Sequence, residues 1–152
     1  MFRGINAVNI DTKGRFAMPT RYREALQARA NNQLVITIDT EVNCLLVYPF
    51  SEWEIIESKI EALPSFNQAA RRIQRLLIGH ATELELDAQG RLLVPPLLRQ
   101  YAAIEKRMML VGQGKKFELW SETQWAEGRD AWLAMGVTPD ADLPAELQNL
   151  SI

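Results

Sequence analysis

Asp11-Thr12-Lys13-Gly14-Arg15-Phe16-Ala17-Met18-Pro19-Thr20-Arg21-Tyr22-Arg23 returns later in the chain as Asp87-Ala88-Gln89-Gly90-Arg91-Leu92-Leu93-Val94-Pro95-Pro96-Leu97-Leu98-Arg99. Both stretches read D-x-x-G-R-x-x-x-P-x-x-x-R, and the five fixed positions share one offset of 76. The likeness continues downstream. Leu45-Leu46-Val47-Tyr48 with Ser51 and Trp53 matches Phe117-Glu118-Leu119-Trp120 with Thr123 and Trp125, now at an offset of 72. Self-similarity at a fixed period marks a repeat. The expected organisation is a duplicated unit, residues 5–53 and 81–125, with a helical connector over 54–80 and a C-terminal helix and tail over 126–152.

Each unit has the same coarse order. Ala7-Val8-Asn9-Ile10 and Thr82-Glu83-Leu84-Glu85-Leu86 alternate as strands do. In the D-x-x-G step, Asp can bind its own backbone two residues on, and Gly can take a positive φ. That predicts a hairpin turn at Asp11–Gly14 and at Asp87–Gly90, with second strands at Arg15–Met18 and Arg91–Val94. Pro19 and Pro95 end those strands and open helices over 20–29 and 96–103, since proline is tolerated in a first turn. Leu34–Ile38 and Met108–Val111 read as third strands, and Cys44–Tyr48 and Lys116–Trp120 as fourth strands. Ser51-x-x-Glu54 and Ser121-x-x-Gln124 are capping-box patterns that start the next helices. The fold class is therefore α+β, mainly β, with a repeated β-β-α-β-β-α unit. Units of about 45 residues are too small for separate large cores, so a shared core with pseudo-two-fold symmetry is expected.

Composition narrows the function. The chain has 152 residues, 47% of them hydrophobic, and one cysteine, Cys44. A lone cysteine excludes a disulfide framework within the chain and a cysteine-rich zinc site, and it suits a reducing compartment. No apolar run approaches the ~20 residues of a membrane span, and the start, Met1 to Asn6, does not read as a secretory signal. A cytoplasmic location is expected. Net charge is −2, but its distribution is uneven: residues 1–29 sum to +4, and 30–70 and 121–152 to −5 each. A basic island on an acidic chain is the footprint of a local, not global, contact with polyanions.

These residues resemble a family. Met1-Phe2-Arg3-Gly4, the Asp11-x-Lys13-Gly14-Arg15 step with Pro19-x-Arg21-Tyr22-Arg23, and the connector Arg72-x-Gln74-Arg75-Leu76-Leu77-x-Gly79-His80-Ala81 are similar to the MraZ family, as is the second Asp87-x-x-Gly90-Arg91 step. The resemblance runs from Met1 to about Trp125. It implies two AbrB-like swapped-hairpin units in one chain, forming a barrel, and a homo-oligomer that closes as a ring. It implies sequence-specific binding to short direct repeats in double-stranded promoter DNA, upstream of the chain's own cell-division and cell-wall operon. A cytoplasmic, nucleoid-associated regulator follows, with no catalysis, cofactor or small-molecule substrate. Swapped-hairpin units also serve as antitoxin-like protein-binding modules, and that is the alternative.

The candidate contacts lie in the basic island. Lys13 and Arg15 sit at the first turn, with Arg3, Arg21 and Arg23 near in sequence. A two-stranded ribbon fits the major groove, lysine and arginine neutralise phosphates, and arginine can also grip guanine. Asp11, Gly14, Asp87 and Gly90 are read as turn residues. Arg91 and Arg99 form a possible second contact surface in a less basic setting, where Ala88 and Gln89 replace Thr12 and Lys13. Arg23 and Arg99 have an equal claim as partners of Asp11 and Asp87. Gly112-Gln113-Gly114-Lys115-Lys116 lacks the spacing and the Ser/Thr of a phosphate loop and reads as a hairpin turn. Asp11, Asp39 and Asp87 as a Mg²⁺ cluster is the weaker reading, because two of them serve turns. His80 has no paired nucleophile and Cys44 reads as a small buried hydrophobe. Trp53, Trp120, Trp125 and Trp132 fit packing better than base stacking. Arg71, Arg72 and Arg75 lie on one face of the connector; one reading has them face DNA, and the favoured one is a solvated face pairing with acids of a neighbouring subunit.

Overall fold

The computed structural model describes residues 1–136 and 144–151. The order is β1 (Phe2–Asn9), β2 (Arg15–Ala17), α1 (Thr20–Ala30), β3 (Gln33–Ile38), β4 (Leu45–Pro49), α2 (Phe50–Glu61) and α3 (Gln68–Ile73). It continues with β5 (Thr82–Glu85), β6 (Arg91–Leu93), α4 (Pro96–Tyr101), β7 (Arg107–Gly114), β8 (Phe117–Ser121), α5 (Glu122–Met135) and α6 (Ala145–Gln148). The class is α+β and mainly β.

Both predicted turns form. Asp11 accepts from Gly14 N–H at 3.0 Å and Asp87 from Gly90 N–H at 2.9 Å, with Gly14 at φ +86° and Gly90 at φ +73°. The strands they join do not pair with each other, which corrects the simple hairpin. β1 pairs antiparallel with β7, and β2 pairs antiparallel with β6, so each unit gives its second strand to the other. The six-stranded sheet runs β1-β7-β8-β4-β3-β5, all antiparallel, and β2-β6 forms a separate two-stranded ribbon.

The register reveals the symmetry. Phe16 pairs with Leu92, its own repeat equivalent at the 76 offset. Leu46 pairs with Glu118, its equivalent at the 72 offset. An approximate two-fold axis therefore passes through both pairs, and the sheet order is a palindrome of the two units.

Two cores follow from strand alternation. One face of the sheet packs with the ribbon and α1 around Phe16, Met18, Leu26, Ile36, Leu92, Leu98, Leu110 and Phe117. The other carries Val35, Leu46, Tyr48, Val111 and Trp120 under Trp53 of α2 and Trp125 of α5. At about 25 cal/mol per Å² of apolar surface, such burial supplies most of the drive to fold. Cys44 lies fully buried in the second core, as expected. Trp132 packs edge-on against Trp120 and Trp125.

Helix starts divide between proline and a cap. Pro19, Pro49 and Pro95 each sit at φ near −55° just before α1, α2 and α4. Ser121 Oγ accepts from Gln124 N–H at 3.1 Å and caps α5. Ser51 does not cap: α2 begins at Phe50, two residues before the start a Ser51 cap would set, because Pro49 already sets the entry geometry. The connector helix is capped by Asn67, whose Oδ1 accepts from Ala70 N–H, and passes into a π-helical stretch over Gln74–Ile78. Within the tail, 137–143 lies outside the described residues, and Ala145–Gln148 forms one helical turn.

Candidate nucleic-acid interface

The ribbon places the two signature arginines on one surface. Phe16 and Leu92 point inward and are buried, so their neighbours Arg15, Ala17, Arg91 and Leu93 face outward. Arg15 stands opposite Leu93, and Ala17 opposite Arg91. The two guanidinium-bearing positions are thus diagonal neighbours, about 7–8 Å apart by ladder geometry. The turns flank the ribbon at opposite ends. Cross-bonds lock them there: Met18 N–H donates to Gly90 O at 2.9 Å, and Val94 N–H to Gly14 O at 2.8 Å.

Each turn aspartate works on its own backbone. Asp11 Oδ1 accepts from Lys13 N–H and Arg15 N–H, both at 2.9 Å. Asp87 Oδ1 accepts from Gln89 N–H at 2.9 Å and Arg91 N–H at 2.8 Å. The Arg15 amide bond is the main reason the Asp11 carboxyl titrates below its usual range, and the Arg91 amide bond does the same for Asp87. The turn-residue reading of Asp11, Gly14, Asp87 and Gly90 describes what these contacts do.

The two arginines differ in how they are held. Arg91 Nε donates to Asp87 Oδ2 at 3.0 Å, and its Nη2 donates to Gln89 Oε1 at 3.3 Å. Arg15 Nε is 3.5 Å from Asp11 Oδ2 and has no hydrogen-bond partner among the described residues. Lys13 is exposed at the same turn. The first end of the ribbon therefore carries an arginine whose Nε is buried and ion-paired with Asp11 without a hydrogen bond, beside an exposed lysine ammonium. The second end has its arginine tied down and no lysine.

The rest of the basic island is dispersed. Arg3 lies six strand residues before Asn9, about 20 Å away at about 3.3 Å per residue, so it is not part of the turn. Arg21 donates to Tyr22 Oη at 2.7 Å and to Asn6 Oδ1, and it stacks on the Tyr22 ring. Arg23 Nε donates to Met18 O at 2.7 Å and its side chain covers Gly90. Arg99 Nε donates to Val94 O at 3.0 Å and its guanidinium covers Gly14. Arg23 and Arg99 therefore brace the opposite unit's turn through its glycine, not its aspartate.

Other sequence candidates fall elsewhere. Asp11 and Asp87 stand at opposite ends of the ribbon, so no Asp11–Asp39–Asp87 cluster forms. The structure instead brings ligand atoms of Asp39, Cys44 and Glu118 within 4.8 Å of one another, a grouping that no spacing in the sequence signals. Burial, with the carboxylates of Glu118 and Asp39, pushes the Cys44 thiol far above its ordinary range. His80 Nδ1 is hydrogen-bonded to Leu76 O at 2.7 Å. The Gly112–Lys116 stretch is the β7–β8 hairpin, where Gly114 takes φ +82°. Among the described residues, no helix is long and apolar enough to cross a membrane.

A family model described as "MraZ protein, putative antitoxin-like" matches residues 1–76 and 77–135. A Coxiella burnetii protein named Transcriptional regulator MraZ is 57% identical over 152 residues, covering all of both chains. Proteins of the same name from Legionella pneumophila and Halorhodospira halophila are 56% and 51% identical, again over the full length of both. With both units matched and full-length relatives at this identity, the chain belongs to the MraZ family.

Proposed function

We propose that this chain is a DNA-binding transcriptional regulator whose β2–β6 ribbon enters the major groove of promoter DNA. The observation that carries the reading is Arg15, ion-paired with Asp11 but not hydrogen-bonded to it, beside the exposed Lys13 on the outward face of a two-stranded ribbon. Such a ribbon matches the groove in width, and arginine reads guanine where lysine contacts phosphate. The names of the full-length relatives support regulation of transcription. Arg91 forms a secondary contact. Arg3 lies in β1 and Arg21 in α1 rather than on the ribbon face, and Arg23 and Arg99 act as braces. The exchange of β2 and β6 between units supports the AbrB-like swapped-hairpin assignment.

The targets in this reading are short direct repeats upstream of the chain's own cell-division and cell-wall operon, bound by several ribbons of one ring-shaped oligomer. One ribbon end presents few charges. So few phosphate contacts leave only weak binding at physiological salt, in the roughly 10⁻⁴–10⁻⁶ M range. Linked copies raise the effective concentration and gain about 10²–10⁴-fold without a new contact. A salt-titrated mobility shift with the DNA upstream of the chain's own coding sequence tests this. Steep loss of binding on deleting one repeat, or on shifting the spacing by half a helical turn, is expected. Failure to retard that DNA at low salt returns the protein-binding, antitoxin-like role.

A further inference from the structure

We propose that the arginine stripe of the connector is a docking surface for the acidic outer face of α5 from a second copy of this chain. The inference rests on the oligomeric part of the proposed function and names the surfaces that join the copies.

Gln68, Arg71, Arg72 and Arg75 fall at helical i, i+3, i+4 and i+7 spacing, and together they line one shallow groove of about 270 Å³. All three arginines are exposed, and none has a carboxylate within 4.0 Å among the described residues. Like charges three and four apart on a helix repel. Three unpaired guanidinium groups around one groove therefore favour an anionic occupant. The connector is also firmly seated: Gln74 Nε2 donates to Ile60 O of α2, and Thr37 Oγ1 to Leu77 O.

The complementary surface is on the same chain. α5 covers the sheet with Trp125 and Trp132, so its outer face, a half-turn round, carries Glu127 and Asp130 one turn apart. Both acids are exposed and make no ion pair among the described residues, although Glu127 borders a groove that Lys106 and Arg107 of the same chain also line. Leu133, one turn on from Asp130, is 65% exposed, and Ile73, next to Arg72 in the connector helix, is 38% exposed. Apolar side chains bordering each charged patch distinguish a protein partner from a phosphate backbone, which gains nothing from them. Two different, mutually complementary patches on one molecule suit a heterologous contact, which propagates head to tail and closes as a ring where the rotation between copies allows.

The test is a charge swap in the full chain, read by light scattering and sedimentation, with thermal melts as the folding control. Arg71→Glu with Arg75→Glu should lower the particle mass at least two-fold, and Glu127→Arg with Asp130→Arg should do the same. The four changes combined should restore the parental mass. Arg71→Gln with Arg72→Gln and Arg75→Gln gives a milder version should the reversal disturb the fold; it should weaken assembly at low salt and leave what remains less dependent on salt. Unchanged mass in the folded single-patch variants overturns the proposal, as does a combined variant that stays dissociated. If instead the reversed arginines leave assembly intact and weaken DNA retardation, the groove is a nucleic-acid contact. Retardation by the parent chain is scored separately, so loss of the regulator reading and loss of this one are distinct results.

Discussion

The guanidinium of Arg99 lies over Gly14, so close that a Cβ there would stand 2.9 Å from Arg99 Cζ. Arg23 holds the reciprocal position over Gly90. Each signature arginine at the end of a D-x-x-G-R-x-x-x-P-x-x-x-R stretch thus braces the signature glycine of the other unit. The motif closes only across the two-fold axis. Its positions are far apart in the chain but adjacent in space, and this explains why one spacing is kept in both units.

Gly14→Ala and Gly90→Ala should each destabilise the fold. A left-handed backbone costs an alanine roughly 1–2 kcal/mol, and the new methyl also displaces the covering guanidinium. The melting temperature should fall by about 4–8 °C for a loss near 2 kcal/mol in a chain of this size. Gly90→Ala should be the worse, because its methyl would overlap Arg23 Nε outright. An unchanged melt for either variant contradicts the brace.

Arg15→Ala should abolish or strongly weaken DNA binding while leaving the melt near that of the parent. Arg91→Ala should cost less affinity, because that guanidinium is already engaged by Asp87 and Gln89. Lys13→Ala should weaken binding evenly across sequences and reduce the salt slope by about 1. Competition mobility shifts at several salt concentrations measure all three. A larger loss from Arg91→Ala in folded protein would invert the assignment of the reading end.

Acid should loosen the ribbon ends. The carboxyls of Asp11 and Asp87 both titrate below their usual range because they accept backbone N–H bonds in the folded turn. Their stabilising contribution is fully present above the ordinary Asp value of about 3.9. It is lost as pH falls from there through the lower folded-state values. Asp11→Asn with Asp87→Asn should therefore melt lower at neutral pH and show a flatter dependence between about pH 4 and pH 2. Parallel curves for parent and variant would remove the aspartates from this role.

Cys44 should be inert in the native protein. Its side chain is fully buried, and burial together with the nearby Glu118 and Asp39 carboxylates disfavours the thiolate, the reactive form. A thiol reagent at pH 8 should label it only as fast as the protein opens, and denaturant should accelerate labelling by orders of magnitude. Rapid labelling of the folded chain would place the thiol at an accessible surface.

Much of this was legible in the chain because it is local. The D-x-x-G turns follow from a short carboxylate that reaches its own backbone and a glycine that takes a positive φ. The strands follow from alternation, and the helices that begin after Pro19 and Pro95 follow from the fixed proline φ. The basic first turn and the poorer second one are differences of residue type, visible as Lys13 against Gln89. The partners of those elements are not local. Alternation states which side chains of β2 are buried, but it does not state that Phe16 meets Leu92, 76 positions away. Nearness in sequence suggested one basic cluster, yet an extended strand carries Arg3 far from Lys13, and Arg21 turns back onto Tyr22 and Asn6. The charges of Arg15 and Arg91 are identical in the sequence. Only the fold leaves Arg15 ion-paired with Asp11 at 3.5 Å and hydrogen-bonds Arg91 to Asp87 at 3.0 Å, because a hydrogen bond depends on a few tenths of an ångström that residue type does not encode.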